Sequence, residues 1–171
     1  MLSSKGFSLI ELLIVVLVVG IIASIAIPNL IASRRASNES SAIATLRTLH
    51  GANMAFAATY GNGEYAGNAS TPDSSSLSEL AAQGFVDAVV GSGLKSSYNF
   101  IGSREARTPA APPTFYFVAN PVDPMGVTRG GDRRFGVATD AVIKSDGTAA
   151  NLATAFDAAS LNSVTAIPIG N

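Results

Sequence analysis

The 171-residue sequence predicts an α+β fold, in which one long N-terminal α-helix packs against a small antiparallel β-sheet. Two features carry this prediction. Residues 7–60 hold an apolar run and then apolar side chains at helical spacing. The second half of the chain holds short runs rich in β-branched and aromatic residues, separated by turn sequences. Short strands that follow one another through turns pair as an antiparallel sheet.

The composition excludes several classes of protein and site. Charged residues make up 13% of the chain, against roughly 25% in ordinary globular proteins, and hydrophobic residues make up 47%. A disordered chain has the opposite balance. The sequence has no cysteine and a single histidine, which excludes a disulfide framework, a thiolate metal site and a site of several histidines. The net charge of −1 does not favour a nucleic-acid partner. No motif predicts a cofactor.

The apolar segment Phe7–Ile27 ends at Pro28. As a helix, its roughly 21 residues span about 30 Å, which is the thickness of the hydrocarbon core of a bilayer. Composition alone leaves two ordinary interpretations open. The segment is a membrane anchor, or it is a secretory signal peptide with Ser24-Ile25-Ala26 as its cleavage site.

Glu11 argues against both of these interpretations, because neither gains anything from a carboxylate inside an apolar helix. Such a group costs a few kcal/mol to insert and is functional by default. It needs a cationic partner, and the apolar segment offers none. Cleavage after Gly6 would give Phe7 a new ammonium group. If the Glu11 carboxylate of one subunit meets the Phe7 ammonium of the next, the contact is head-to-tail and generates a helical filament.

The sequence Lys5-Gly6-Phe7-Ser8-Leu9-Ile10-Glu11, followed by the apolar run, resembles the class III signal sequence of type IV pilins and type II secretion pseudopilins. The resemblance implies the pilin fold. It also implies that a prepilin peptidase cleaves between Gly6 and Phe7 on the cytoplasmic face and methylates the Phe7 nitrogen. By the same resemblance, Glu11 is the carboxylate that directs assembly.

The chain divides into five predicted regions. They are a leader peptide at 1–6, a transmembrane or filament-core helix at 7–27, an amphipathic continuation of that helix at 28–60, a head domain at 61–147 and a C-terminal tail at 148–171. In the pilin family the helix segment before the proline can loosen on assembly. Gly20 and Pro28 are the helix-weakening residues that would permit it here.

The head domain is predicted to begin after a helix stop at Gly61-Asn62-Gly63. The predicted elements that follow are one or two short helices over 77–90, broken near Gly84, and strands over 98–101, 114–119, 134–139 and 141–144. In the tail we expect a short helix over 151–159 and a strand or ordered arm over 164–169. Because a disulfide is excluded, hydrogen bonding or packing must hold the C-terminal region that many type IV pilins clamp with one.

No arrangement of nucleophile, base and acid is apparent, so the sequence does not predict an enzyme. His50 lies on the amphipathic helix face and is predicted to be a packing residue. Some pseudopilins bind calcium through loop carboxylates, and a basic cluster could touch DNA phosphates. The favoured interpretation of both sets is solvated turn residues: the carboxylates are Asp123, Asp132, Asp140 and Asp146, and the cations are Arg129, Arg133 and Arg134.

The predicted function is a structural subunit of a type IV pilus-like filament, in a family associated with cell adhesion and twitching motility. The expected partners are other copies of the chain, prepilin peptidase, the inner-membrane assembly machinery and, before assembly, the membrane itself. The expected location is the bacterial inner membrane and then an extracellular pilus. One alternative is a type II secretion pseudopilin, in a periplasmic pseudopilus. Another is a secreted or membrane-anchored binding domain, which predicts cleavage after Ala26 or none.

Overall fold

The computed structural model describes residues 6–69, 71–163 and 165–169. Of the predicted leader at 1–6, all but Gly6 lies outside the described residues. The chain divides into two compact units, Met1–Arg34 and Arg35–Asn171. Four α-helices are present in the described ranges: α1 (Leu9–Thr59), α2 (Ser75–Ala82), α3 (Ala88–Gly91) and α4 (Ala158–Leu161). The strands in those ranges are β1 (Leu94–Lys95), β2 (Tyr98–Glu105), β3 (Thr114–Pro121), β4 (Arg134–Ala138), β5 (Ile143–Asp146) and β6 (Ile167–Pro168).

Helix α1 carries one buried face in the second unit. The buried side chains recur every three or four residues, as a packed helix requires: Glu39, Ala42, Thr45, Leu46, Leu49, Ala52, Asn53 and Phe56. The helix ends within one residue of the predicted Tyr60. The predicted stop is confirmed, because Asn62 (φ 50°) and Gly63 (φ 88°) both take the left-handed backbone conformation that ends a helix.

The described strands form a six-stranded antiparallel sheet in which spatial order follows chain order. β2 and β3 pair along their whole length, from Tyr98 opposite Pro121 to Glu105 opposite Thr114. The four predicted strands are confirmed. Two further strands, β1 and β6, have two residues each and lie at the edges, and β1 was not predicted from the sequence.

One face of the sheet packs on α1 and provides the main core. This core joins Leu46 and Leu49 of the helix to Phe100, Phe117 and other buried side chains of the strands. Helices α2 and α3 add Leu77, Leu80 and Val90 to it. The predicted break between the two short helices is confirmed at Gly84, which has φ 74°.

The opposite face of the sheet is covered by the tail. Tyr116 and Val118 of β3 point away from the α1 side and form a second cluster with Phe156, Leu161 and Ala166. The approach is close at Gly136 of β4, where any Cβ would lie 2.4 Å from the Leu161 side chain. The sheet is therefore buried on both faces, between α1 and the tail.

The expectation of a helix over 151–159 is wrong. The chain instead forms a 3₁₀ turn at Ala149–Asn151 and then α4 at Ala158–Leu161. Bonds between the Asp157 and Ser160 side chains and backbones support the start of α4. The strand expected within 164–169 is present as β6, although Val164 lies outside the described residues.

A buried ion pair joins β4 to β5. The side chains of Arg134 and Asp146 are 4% and 1% exposed, with Nη2 and Oδ2 2.8 Å apart. The Thr148 backbone N–H and the Asn151 amide also donate to the Asp146 carboxylate, at 2.8 and 2.9 Å. Burial raises the pKa of Asp146, but the bonds from Thr148, Asn151 and Arg134 outweigh burial and hold this pKa at about 2.

The same arginine also holds the tail. Arg134 Nη1 donates to the Thr154 carbonyl at 2.9 Å, and its guanidinium lies 4.0 Å from the centre of the Phe156 ring. We call Arg134, Asp146, Asn151, Thr154 and Phe156 the tail clamp. It fastens the tail to β4 and β5 by hydrogen bonds, an ion pair and packing, as expected for a chain without cysteine.

The interpretation of the acidic and basic sets as solvated turn residues is therefore wrong for Asp146 and Arg134. It is also wrong for Arg133, which donates to the Glu39 carboxylate of α1 through Nε and Nη2, at 3.0 and 2.7 Å. Asp140 fits the interpretation better: its half-exposed carboxylate lies 4.0 Å from Lys144 Nζ.

Candidate functional site

The candidate site is the segment around Gly6, Phe7 and Glu11 at the start of α1. Gly6, Phe7 and Ser8 precede the helix, so the Gly6–Phe7 peptide bond lies in irregular backbone. The Phe7 side chain is 87% exposed. An exposed, non-helical peptide bond is accessible to a protease.

Ser8 and Glu11 form one half of a capping box at the helix start. The Ser8 backbone N–H donates to Glu11 Oε2 at 3.2 Å, and the Leu12 N–H donates to the Ser8 carbonyl at 3.3 Å. Ser8 is thus the N-cap residue and Glu11 is the third helical residue, the position from which a glutamate reaches back to the cap. The exposed carboxylate is satisfied by its own helix and by the positive end of the helix dipole.

Beyond Glu11, α1 presents an apolar surface on all sides. Large side chains between Leu9 and Ile27 are 48–82% exposed. Among the described residues α1 is the one helix that is long and apolar enough to cross a membrane, with a mean hydropathy of 3.0 over its most apolar window. A continuous apolar surface of this size marks a lipid-facing or protein-facing segment.

Gly20 and Pro28 both lie inside the continuous helix α1. Pro28 has no N–H to donate, so the carbonyl four residues earlier, on Ser24, loses its helical partner. A Cβ at Gly20 would meet no atom within 4 Å, so packing does not require glycine there. Both residues lower the local stability of the helix, and their role in loosening it on assembly stays a prediction.

The other candidate residues lie in the second unit, Arg35–Asn171. His50 packs against Phe115, with ring centres 5.3 Å apart, as a packing histidine does.

In the described part of the chain, no group of three or more histidine or carboxylate side chains is arranged to hold a metal ion. One open concavity of about 760 Å³ on the head is lined by residues such as Ile101, Asn120 and Leu152, and its lining carries no titratable side chain.

The roles of Gly6, Phe7 and Glu11 stay predictions, and Ser8 was not predicted as the partner of Glu11. The sequence did contain a signal for this contact, since Ser-x-x-Glu directly before an apolar run is a capping-box pattern. Glu39, a buried carboxylate on α1, was not predicted either, because its partner Arg133 lies 94 residues away in the sequence.

Comparisons with known proteins give matches to the N-terminal part of the chain. Residues 1–27 match the family model of the prokaryotic N-terminal methylation motif. The chain is 47% identical over 53 residues to the type IV major pilin protein PilA of Myxococcus xanthus, a match that covers 31% of this chain and 24% of that protein. It is 51% identical over 39 residues to the type IV wide pilus major component PilA4 of Thermus thermophilus, covering 23% of this chain and 30% of that protein.

The matched segments thus span less than a third of each of these relatives. No solved structure matches the chain. The described architecture, a long N-terminal helix packed against an antiparallel sheet, is pilin-like. The chain carries a prokaryotic N-terminal methylation motif and is similar in short N-terminal segments to type IV pilins.

Proposed function

We propose that this protein is a structural subunit of a type IV pilus-like filament, assembled through α1 after a prepilin peptidase removes residues 1–6. The observation that carries the proposal is the matched methylation motif, followed directly by a helix whose apolar side chains are exposed. The processed chain has 165 residues and begins with the Phe7 ammonium, which the same peptidase methylates.

The apolar segments of many copies bundle in the filament core, away from water. There the capping contact from Ser8 is a weak partner for the Glu11 carboxylate, because an isolated charge in an apolar core is very costly. The Phe7 ammonium of a neighbouring copy satisfies that charge only when the two helices are staggered correctly. Such a contact does not close on itself, so it propagates as a helix.

Gly20 and Pro28 let the helix adjust locally as it moves from lipid into the bundle. Before assembly the subunit is anchored in the bacterial inner membrane, with its head on the outer side. The partners are other copies of the chain, the peptidase and the inner-membrane assembly machinery. The role is structural and not catalytic.

The names of both similar proteins favour a pilus over a secretion pseudopilus. Deletion of the gene in the native host tests this choice. Loss of surface filaments with secretion intact is the expected result. Loss of protein secretion with surface filaments intact would identify a pseudopilin instead.

Intact mass and N-terminal peptide analysis of the protein from its native host test the processing step. We expect a chain that begins at Phe7 and is heavier by one methyl group. A chain that begins at Ile27 would identify an ordinary secreted domain and would overturn the proposal.

The Glu11→Ala variant tests the assembly step. We expect a chain that is cleaved, methylated and inserted in the membrane but absent from sheared filaments, because the charge that sets the stagger is gone. Glu105→Ala, which removes an exposed carboxylate at the end of β2, is the matched control and should assemble normally. Filaments of normal abundance from Glu11→Ala would refute the role of Glu11.

A further inference from the structure

The chain leaves helix α1 through an asparagine–glycine pair at the surface. Asn62 is exposed, and both Asn62 (φ 50°) and Gly63 (φ 88°) have the left-handed backbone conformation. Because glycine has no side chain, it leaves the approach to its own backbone nitrogen open. The side-chain amide of Asn62 is therefore open to attack by the backbone that follows it.

The reaction that this pair permits is deamidation. The Gly63 nitrogen loses its proton and bonds to Cγ of Asn62, the bond between Cγ and Nδ2 breaks, and ammonia leaves. Water then opens the five-membered ring at either of its carbonyls and returns a proton to the Gly63 nitrogen. The products are aspartate or isoaspartate at position 62, so one amide and one water become one carboxylate and one ammonium ion. No oxidant, reductant or enzyme is required.

The fold restrains this reaction at the attacking nitrogen. The Gly63 N–H donates to the Ala57 carbonyl at 2.9 Å, in one of the bonds that end α1. A nitrogen held in this bond neither loses its proton nor turns toward Cγ of Asn62, so the end of the helix must open first. Helix ends open at a low cost in free energy. The reaction is therefore slowed but not prevented.

A cation lies beside the attacking residue. A Cβ built on Gly63 would be 3.1 Å from Arg107 Nη2, so the guanidinium packs directly against this glycine. The Arg107 backbone N–H donates to the Glu64 carboxylate at 3.3 Å, and that carboxylate is also paired with Arg104 Nη1 at 2.9 Å. A positive charge stabilises the anionic form of a neighbouring group. The guanidinium therefore favours loss of the Gly63 proton.

We propose that Asn62 is a site of spontaneous deamidation in the folded chain, restrained by the bond to Ala57 and favoured by the Arg107 guanidinium. The product places a carboxylate directly after α1, where the negative end of the helix dipole disfavours it. Isoaspartate also adds a carbon atom to the backbone and displaces the Gly63 N–H from Ala57. Deamidation thus weakens the helix stop in which it occurs. The inference is independent of filament assembly, because all of these residues lie in the second unit.

Peptide mass spectrometry of the full chain, incubated in neutral buffer with detergent, measures deamidation at each asparagine. Asn68 is the internal control, because it is also exposed but precedes Ala69, and its Nδ2 donates to Asp73 at 2.9 Å. We expect Asn62 to convert in the folded chain while Asn68 keeps its amide. In guanidinium chloride, where the bond to Ala57 is lost, Asn62 should convert about tenfold faster, as expected when one hydrogen bond no longer has to open first.

Arg107→Gln tests the contribution of the cation. This variant removes the guanidinium and keeps the backbone N–H that bonds to Glu64, and it should slow conversion in the folded chain about threefold, the size of a surface charge interaction. Arg47→Gln is the matched control. It removes the same charge at an exposed position of α1 more than three turns before the helix ends, and it should leave the rate unchanged.

Three results would overturn the proposal. An Asn62 that keeps its amide in the folded chain, while the unfolded chain converts, would show that the site is not used. Equal rates in the folded and unfolded chains would show that the bond to Ala57 does not restrain the reaction. Equal rates in Arg107→Gln and Arg47→Gln would show that the neighbouring cation does not favour it.

Discussion

The tail clamp allows a stability prediction to be worked from the structure. Asp146→Asn keeps the shape of the side chain but removes the charge that pairs with Arg134. The gap between the ordinary pKa of 3.8 and the pKa of about 2 for Asp146 corresponds to roughly 2–3 kcal/mol of stability. Breaking one partner of a buried ion pair costs about 3–5 kcal/mol. We therefore expect the variant to lose about 3 kcal/mol, which lowers Tm by roughly 10 °C for a unit of this size.

Thermal and denaturant unfolding of the full chain in detergent, followed by circular dichroism, measure this loss. Asp140→Asn is the matched control, because it makes the same change at a half-exposed carboxylate 4.0 Å from Lys144. Surface pairs of this kind contribute about 0–1 kcal/mol. A loss for Asp146→Asn that is no larger than the loss for Asp140→Asn would refute the reasoning.

The pH dependence gives the same prediction a second readout. The pKa of Asp146 is lower in the folded chain than in the unfolded chain, so its contribution is complete above about pH 4 and disappears as pH falls through about 2. The wild-type chain should therefore lose about 2 kcal/mol more than Asp146→Asn between pH 5 and pH 2. Parallel pH profiles for the two proteins would show that the clamp does not hold the carboxylate charged.

Three further changes test other parts of the structure. Phe156→Ala empties the fully buried centre of the second cluster and should cost about 3–5 kcal/mol, with faster hydrogen exchange in the tail than in β2 and β3. Glu39→Gln removes the charge that holds Arg133 and should cost about 1–3 kcal/mol, with faster exchange in loop residues 128–132. Gly20→Ala should raise the stability of the helix by about 1 kcal/mol and slow filament assembly if loosening is required there. An unchanged rate of assembly in the Gly20→Ala variant would show that assembly does not require a flexible glycine at position 20.

Local sequence patterns predicted most of the elements. Helix α1 was predictable because an apolar run and a 3.6-residue periodicity follow one another up to Gly61, although Pro28 stands at their junction. The paired strands β2 and β3 were predictable from their β-branched and aromatic residues, although both extend beyond the predicted limits. The extension comes from pairing, since Glu105 lies opposite Thr114 across a long loop and no local signal specifies that partner.

The tail and the charged core could not be predicted, because they depend on distant partners. From the sequence, Arg134 is indistinguishable from the two neighbouring arginines of the basic cluster. In the folded chain, β5 and the tail bring a carboxylate and an aromatic ring to it. Phe156 lies in an alanine-rich stretch whose composition suits a helix. Burial against β3 makes it the anchor of an irregular segment instead, since packing overrides local propensity.

The candidate site, unlike the tail clamp, could be proposed from the sequence alone. The difference follows from the different roles of the two groups of residues. Gly6, Phe7 and Glu11 lie within six residues, and the fold buries none of them. On the proposed function, each acts on another molecule: a peptidase reads the bond after Gly6, and a second subunit meets Glu11. A group that another molecule contacts must be exposed. A short continuous stretch of sequence is enough to present such a group. The tail clamp acts within one chain and has to be assembled by folding. For this reason the N-terminal motif can be recognised from the sequence, whereas the tail clamp can be recognised only from the structure.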